Sequence, residues 1–359
     1  ALKPETKVDN LTGAVGGPIV KDRWHFYTGY EWVNRDLGGE PARTITISAA
    51  SQAALVAAGV PSSAFPTAIP AKQKVNFFIF RTDAQIDDNN RLSVRFNRFT
   101  NLSPDNIAGG VNSLQRSIDF DDQSSSIGIQ LASTFSTNIL NEFRFQFAKR
   151  DSRNIANANS GVGPSIVVTD TDAATAGNQT ANFGAPENDD TIAPLQKTTQ
   201  FQNNLTWTNG NHAVKIGAGI NFIDDIRKTN SFTRYTFPTV AAYNDARNGV
   251  NPRSWTNFQQ IFGNTNAVFD SAYSNFFVQD DWKVTRKLKL NYGLRYDLYR
   301  IPTADSTSTF TPSQKFKIDR NNFAPRLGMV YSLRDGNRPT VIRASAGIYY
   351  DTVYSDMYL

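Results

Sequence analysis

Hydrophobic and polar residues alternate along much of the chain, in segments of roughly ten residues. Between 288 and 298, leucine and tyrosine at even positions alternate with polar, charged or small residues at odd positions. Successive side chains of a strand point to opposite sides of a sheet, so this segment has one apolar and one polar face. The pattern predicts about twelve strands, at about 10–20, 22–36, 75–87, 90–100, 124–136, 138–150, 195–208, 212–224, 272–284, 287–299, 322–332 and 339–350.

The connections between these strands alternate in length. Tight turns rich in polar residues separate the strands of each pair, as at Lys21-Asp22 and Asn209-Gly210-Asn211. Outer-membrane barrels have short periplasmic turns and long extracellular loops, whereas a soluble sandwich has no reason to keep every long connection at one end. The predicted long loops are about 37–74, 101–123, 151–194, 225–271 and 300–321.

The first long loop contains a predicted helix of its own. Ser48 to Gly59 offers a Ser cap, an Ala-rich body and a terminal Gly. We expect this helix to pack within the loop.

The strand faces predict an all-β, partial antiparallel transmembrane barrel. An apolar outer band around a polar interior is favourable only in a hydrocarbon phase, where a closed barrel satisfies every backbone polar group. The rival is a β-sandwich, in which the apolar face packs on a second sheet. Three tryptophans near proposed tight turns, Trp24, Trp207 and Trp282, fit an aromatic girdle at the periplasmic interface.

The composition of the chain argues against several kinds of functional site. The chain has no cysteine and only two histidines, far apart in sequence, so we expect no thiolate or His-rich metal site. The net charge of +5 is spread along the chain, which argues against a nucleic-acid surface. No Gly-x-Ser-x-Gly, P-loop or His-Glu-x-x-His motif is present, and we expect no catalytic residue and no cofactor.

Paired carboxylates occur at 87–88, 189–190, 224–225 and 280–281. They could serve acid/base chemistry or bind calcium, but Asp is a common turn residue, and we interpret these pairs as solvated turns. Asp170 and Asp172 could join a calcium site in a loop, although the other oxygen ligands are not specified.

Two further groups of residues are candidates for function. Aromatic residues in the loops, Tyr235, Tyr243 and Trp255, could contact a ligand. Charged residues on the polar strand faces would point into a lumen, where they would contact a plug, line a ligand path or form cross-strand ion pairs. These residues are Arg81, Asp83, Arg95, Arg144, Lys215, Lys289, Arg295, Asp297 and Arg343.

Four segments resemble successive barrel segments of Oar-like TonB-dependent outer-membrane transporters. They are GGPIVKDRWHFYTGYEW (16–32), NFFVQDDWKVTRKLKLNYGLRYDLY (275–299), NNFAPRLGMVY (321–331) and TVIRASAGIYYD (340–351). The resemblance implies a barrel of about 22 strands that is closed by a plug. It also implies uptake of a scarce ligand, driven through the TonB-ExbB-ExbD complex. The chain departs from the family pattern, because a plug, a TonB box, an N-terminal domain and a terminal strand with the typical final aromatic are not recognised in it.

The predicted function is therefore transport across the outer membrane of a Gram-negative bacterium by a barrel fragment of about twelve strands. The transported ligand is unknown, and the partners would be outer-membrane lipid and, through a plug, the TonB complex. A passive porin-like channel is the first alternative. A soluble carbohydrate-binding β-protein that stacks sugars on the loop aromatics is the second.

Overall fold

A computed structural model describes residues 6–37, 43–171, 179–189, 191–263, 265–309, 311–334 and 339–351. The described part contains two helices, α1 (Ala49–Ala57) and α2 (Val240–Arg247), and neither is long and apolar enough to cross a membrane. Most other residues lie in strands. The strands are β1 (Thr6–Val20), β2 (Trp24–Leu37), β3 (Ala71–Gln85), β4 (Asn90–Asn106), β5 (Ile118–Ser136), β6 (Ile139–Ile155), β7 (Ser165–Asp170), β8 (Ala181–Gly184), β9 (Thr191–Asn209), β10 (His212–Lys228), β11 (Phe232–Thr239), β12 (Asn257–Ile261), β13 (Asn266–Lys283), β14 (Leu288–Arg300), β15 (Phe323–Arg334) and β16 (Thr340–Gly347).

Twelve strands form one large antiparallel sheet in the order β1-β2-β3-β4-β5-β6-β9-β10-β13-β14-β15-β16. Neighbours in the sheet are also neighbours in sequence, apart from the excursions through β7–β8 and β11–β12. The short turns therefore lie at one end of the sheet, the turn end, and the long connections at the other, the loop end. In the described residues β1 and β16 are edge strands that do not pair with each other. The all-β class and the sheet of about twelve strands are confirmed.

Several strands extend further towards the loop end than the alternation predicts. β4 ends at Asn106 rather than near 100, β5 begins at Ile118 rather than near 124, and β6 ends at Ile155 rather than near 150. These extensions are mostly polar, and Asp121 pairs with Arg153 in the β5–β6 ladder. Where a strand leaves an apolar medium, both of its faces can meet water, so the backbone ladder can continue after the apolar alternation ends.

The long connections contain a second sheet, which the alternation does not predict. It has four strands in the order β12-β11-β7-β8, and β11 runs parallel to β7, with Arg234 opposite Ser165. These strands have four to eight residues, too few for a clear period. We call this sheet together with α1 and α2 the loop module.

The main apolar core lies in the loop module. Leu55 of α1 and Val168 of β7 are fully buried, and Phe183 of β8 is 3% exposed. The helix predicted in the first long loop is confirmed, because Ser48 caps α1 by accepting a hydrogen bond from the Ser51 amide at 3.1 Å. The large sheet instead exposes its apolar residues, with Phe276 of β13 52% exposed, and thus needs an apolar medium on that side.

Candidate functional site: the two faces of the large sheet and the loop module

Strand register divides the large sheet into two chemically distinct faces. On one side, called the apolar face, a row crosses five strands through Val94, Ile129, Phe145, Phe201 and Ile220, and the rings of Phe145 and Phe201 lie 5.2 Å apart. On the other side, called the polar face, the neighbouring row is polar, charged or small. It runs through Arg81, Arg95, Gly128, Gln146 and Gln200.

All nine charged residues proposed to point into a lumen lie on the polar face. The register carries this face from β3 through β9 and β10 to β14 and β16, so it connects Arg81 with Lys215, Arg295 and Arg343. The sequence thus identified nine charged residues that share one side of the sheet, although the strands that carry them are far apart in the chain.

Most of the close ion pairs on this face join residues two apart on one strand rather than residues on neighbouring strands. Such residues point to the same side of the strand. Asp297 is 6% exposed, and it also accepts a hydrogen bond from the Tyr273 hydroxyl of β13. The same-strand pairs are Arg81–Asp83 at 2.7 Å, Arg144–Glu142 at 3.4 Å, Arg227–Asp225 at 3.0 Å and Arg295–Asp297 at 2.8 Å, and a cross-strand pair joins Lys289 to Asp281 at 3.3 Å.

Two of the open cavities against the polar face meet at Arg95. One of about 440 Å³ is lined by three arginines, Arg81, Arg95 and Arg144, together with glutamines of β5, β6 and β9. The second, of about 490 Å³, also touches Arg95 and is bordered by Phe77 and other residues towards the loop end. The polar face is therefore an open, mainly cationic surface in this region.

The three tryptophans expected near tight turns lie at the turn end of the sheet on the apolar face. Trp24 opposes Ala84, Trp207 opposes Ile139, and Trp282 opposes His212. The indoles of Trp24 and Trp207 are 42% and 45% exposed.

The paired aspartates are split by the strands that carry them, because consecutive residues point to opposite faces. Asp281 lies on the polar face near Lys289, whereas Asp280 lies on the apolar face and is 8% exposed. His212 Nδ1 lies 2.6 Å from Asp280 Oδ2, and the Tyr292 hydroxyl donates to the same oxygen at 2.9 Å.

The interpretation of these pairs as solvated turns is wrong for Asp280 and for Asp225, which is 1% exposed and paired with Arg227. It is correct for Asp87, which accepts the Asn89 amide at 2.9 Å in the β3–β4 turn. Asp172 and Asp190 lie outside the described residues. Within them, no three His, Asp or Glu side chains are grouped so that they could hold a metal ion.

The loop module brings together the three aromatic residues proposed as ligand contacts. Tyr235, Tyr243 and Trp255 line one cavity of about 730 Å³. Tyr235 lies 6.4 Å from Trp255 and 5.1 Å from Phe258, measured between ring centroids. Arg253 also lines this cavity, at an exposed position. The sequence did not single out Phe258 or Arg253, because neither stands in a recognisable motif.

A half-buried carboxylate holds three of the long connections together. Glu187, which follows β8, forms ion pairs with the Arg116 guanidinium at 2.9 Å and with the Arg234 guanidinium of β11 at 2.9 Å. The Ser165 hydroxyl of β7 donates to it at 2.6 Å. Burial alone would raise the pKa of Glu187, but the hydrogen bond from Ser165 and the charges of the two arginines together lower it. The carboxylate is therefore ionised at neutral pH and fixes the cavity walls relative to each other.

Comparisons with known proteins agree with this architecture. Several solved chains match with a TM-score of at least 0.50, and each is only 10–14% identical, so the likeness shows the fold alone. The outer membrane transporter YddB from Escherichia coli matches at a TM-score of 0.59 and 11% identity, over 91% of this chain and 36% of that one.

Two receptors match in the same way. The ferripyoverdine receptor of the outer membrane of Pseudomonas aeruginosa matches at 0.51 and 12% identity, over 92% and 40% of the two chains. The siderophore receptor PirA from Acinetobacter baumannii matches at 0.50 and 14% identity, over 92% and 39%. The chain thus spans well under half the length of these proteins, which are transporters and receptors. No curated protein sequence matches it significantly.

A family model described as "Outer membrane beta barrel domain" matches residues 41–359, which is most of the chain. This match overturns the alternative of a soluble carbohydrate-binding protein, and it explains why the large sheet exposes so many apolar side chains. The chain belongs to the outer membrane beta barrel domain family and is a protein of the bacterial outer membrane.

Proposed function

We propose that this chain forms part of the wall of a TonB-dependent transporter of the Oar-like type, not an enzyme. The observation that carries the proposal is the separation of the two faces, with exposed aliphatic and aromatic rows on one side and nine charged residues on the other. Such a sheet fits a barrel with lipid outside and a hydrated lumen inside. In that arrangement the turn end faces the periplasm, and Trp24, Trp207 and Trp282 lie at the periplasmic interface.

The polar face supports a lumen that holds a plug or conducts a ligand. Arg95 has no ion pair with a described residue, and the cavity that it shares with Arg81 and Arg144 is open. Acidic or hydroxyl groups of a plug, or an anionic ligand in passage, would complement these guanidinium groups. The remaining six charged residues of the set would line the same lumen.

The loop module supports ligand capture at the extracellular end. Its cavity of about 730 Å³ falls within the size range of small-molecule sites, and such sites are mostly apolar with few polar groups. Tyr235, Tyr243 and Trp255 would supply flat apolar contacts, and Arg253 at the rim would supply a positive charge. The candidate ligands are an iron chelate, an oligosaccharide and a peptide.

Binding to the loop cavity can be measured by tryptophan fluorescence of the full-length protein. The titrants are a ferric catecholate chelate, a maltodextrin and a mixed hexapeptide library. We expect one of the three to give saturable quenching that Trp255→Phe removes, whereas the control Trp207→Phe retains it. Equal binding by Trp255→Phe and the unchanged protein would refute the assignment, and so would no binding by any of the three.

The transport mechanism can be tested against the passive-channel alternative by planar-bilayer conductance. A plugged transporter gives almost no steady current, whereas a porin-like channel conducts at once. In parallel, an immobilised periplasmic domain of TonB should retain the full-length protein. A protein that conducts steadily and is not retained by TonB would contradict TonB-dependent transport and support the passive channel.

A further inference from the structure

A row of basic residues lies on the apolar face, directly beyond an apolar row on β4, β5 and β6. The row just below it contains Phe96, Ile127 and Phe147. The next row of this face lies two residues further towards the loop end on each strand. There the register aligns one residue from each of four neighbouring strands. The aligned residues are Arg98 of β4, Ser125 of β5, Lys149 of β6 and Lys197 of β9.

This basic row lies at the depth expected for the opposite membrane interface. Trp207 and Lys197 are ten residues apart on β9, on the same face. At about 3.3 Å per residue and a strand tilt of about 35–45°, ten residues span roughly 23–27 Å along the membrane normal. The apolar band of an outer-membrane barrel is about 25 Å tall. When Trp207 lies at one interface, Lys197 lies at the other.

The basic side chains have little compensation from the protein. Lys149 and Lys197 oppose each other directly on adjacent strands, and like charges in that position destabilise a sheet. Asp151 is held by Arg153 at 2.5 and 2.9 Å, which leaves Lys149 a long contact of 3.7 Å. Arg98 donates only to a neutral acceptor, the Gln123 side chain, at 3.3 Å among the described residues.

The basic row ends at β9. Lys197 has no ion pair with a described residue, although Asp224 opposes it on β10. Beyond that point the row continues through Asp224 and Asp270, so its basic part is confined to β4–β9. Because strands lie about 4.8 Å apart, the three cations span roughly 15 Å across the sheet.

We propose that Arg98, Lys149 and Lys197 bind the phosphate groups of a phosphorylated glycolipid in the membrane leaflet on the loop side. The apolar rows beneath would contact its acyl chains, while the phosphates would separate the opposed lysines. This site requires the outer-membrane location of the chain and is independent of the transport proposal, since it lies on the face opposite the lumen.

The test is lipid binding by the full-length protein in detergent, measured by native mass spectrometry. The probe is diphosphoryl lipid A, compared with monophosphoryl lipid A and phosphatidylethanolamine. The variant Arg98→Gln/Lys149→Gln/Lys197→Gln removes the site. Lys21→Gln/Arg286→Gln/Lys287→Gln is the matched control, because it removes three positive charges from tight turns at the opposite end.

Each basic residue near a membrane surface adds to the attraction for anionic lipid. We therefore expect the site variant to bind diphosphoryl lipid A with an affinity that is lower by roughly tenfold or more. The control variant should match the unchanged protein, and monophosphoryl lipid A should bind more weakly than the diphosphoryl form. Circular dichroism and heat-modifiable migration should show that both variants are folded.

Equal binding by the site variant and the unchanged protein would overturn the proposal. An equal loss in both variants would do the same, because it would show a general effect of net charge. If inorganic phosphate at millimolar concentration displaced the lipid completely, the row would be a phosphate site rather than a lipid site.

Discussion

Replacing Leu294 by Arg tests the assignment of the apolar face to lipid. Leu290 opposes Trp282, which places it near the interface, and Leu294 lies four residues further along β14 with its side chain 43% exposed. Four residues correspond to about 13 Å along the strand, or about 10 Å along the membrane normal at the usual tilt. Leu294 is therefore near the midplane, where an arginine costs about 2–4 kcal/mol.

Two further variants on β14 serve as controls. Leu290→Arg changes the same face at the interface, where the cost falls to about 0–1 kcal/mol. Asn291→Arg changes the polar face, where Asn291 already donates to Asp281 at 2.6 Å and an arginine keeps an acidic partner. The free energy of unfolding is measured by urea titration of the full-length protein in phospholipid vesicles. Equal destabilisation by Leu294→Arg and Asn291→Arg would refute the assignment of the faces.

Other predictions concern the loop module and the topology. Glu187→Gln should destabilise the module by about 2–3 kcal/mol, seen as faster hydrogen exchange, because two partly buried guanidinium groups lose their carboxylate partner. Since its folded pKa lies below the unfolded value, Glu187 stabilises the module at neutral pH. The unchanged protein should therefore lose protection from hydrogen exchange in the module as pH falls below about 4. Glu187→Gln should show no such loss. Ser48→Ala should cost about 1 kcal/mol, measured by local exchange in α1, and an unchanged rate would contradict the cap. Gly59→Ala should cost about 1–3 kcal/mol in the same assay, because φ is +89°, a conformation that side chains with a Cβ rarely adopt, and the Arg247 guanidinium would have to move away. In intact cells an impermeant maleimide should label Arg253→Cys but not Thr137→Cys, a clean comparison in a chain without cysteine, and the reverse would contradict the proposed orientation.

The sequence predicted the large sheet well because each of its strands carries its own signal. An alternating segment such as 287–299 needs no partner to show its two faces, since the membrane and the lumen impose them on every strand. The helix α1 was also predictable, because a Ser cap and a terminal Gly are local signals. Neither prediction required knowledge of distant contacts.

The loop module was not predictable for the opposite reason. Val168 and Phe183 are buried by residues from other loops, and no local period marks their strands. The salt bridges of Glu187 depend on Arg116 and Arg234, which are distant in sequence. The aromatic contacts were identified by residue type alone, and only the folded loops show that Tyr235, Tyr243 and Trp255 share one cavity.

The parallel pairing of β7 with β11 has a consequence for how the loop module can evolve. These strands come from two different loops, and the entire β9–β10 hairpin lies between them in sequence. An insertion or deletion within either strand would shift the register, and a shift of one residue turns every side chain of a strand to the other face. Exposed loops ordinarily accumulate such changes independently. Here the two loops must diverge as a pair, so a chimaera that exchanges only one of them with a homologue would lose the cavity, whereas exchange of both would keep it.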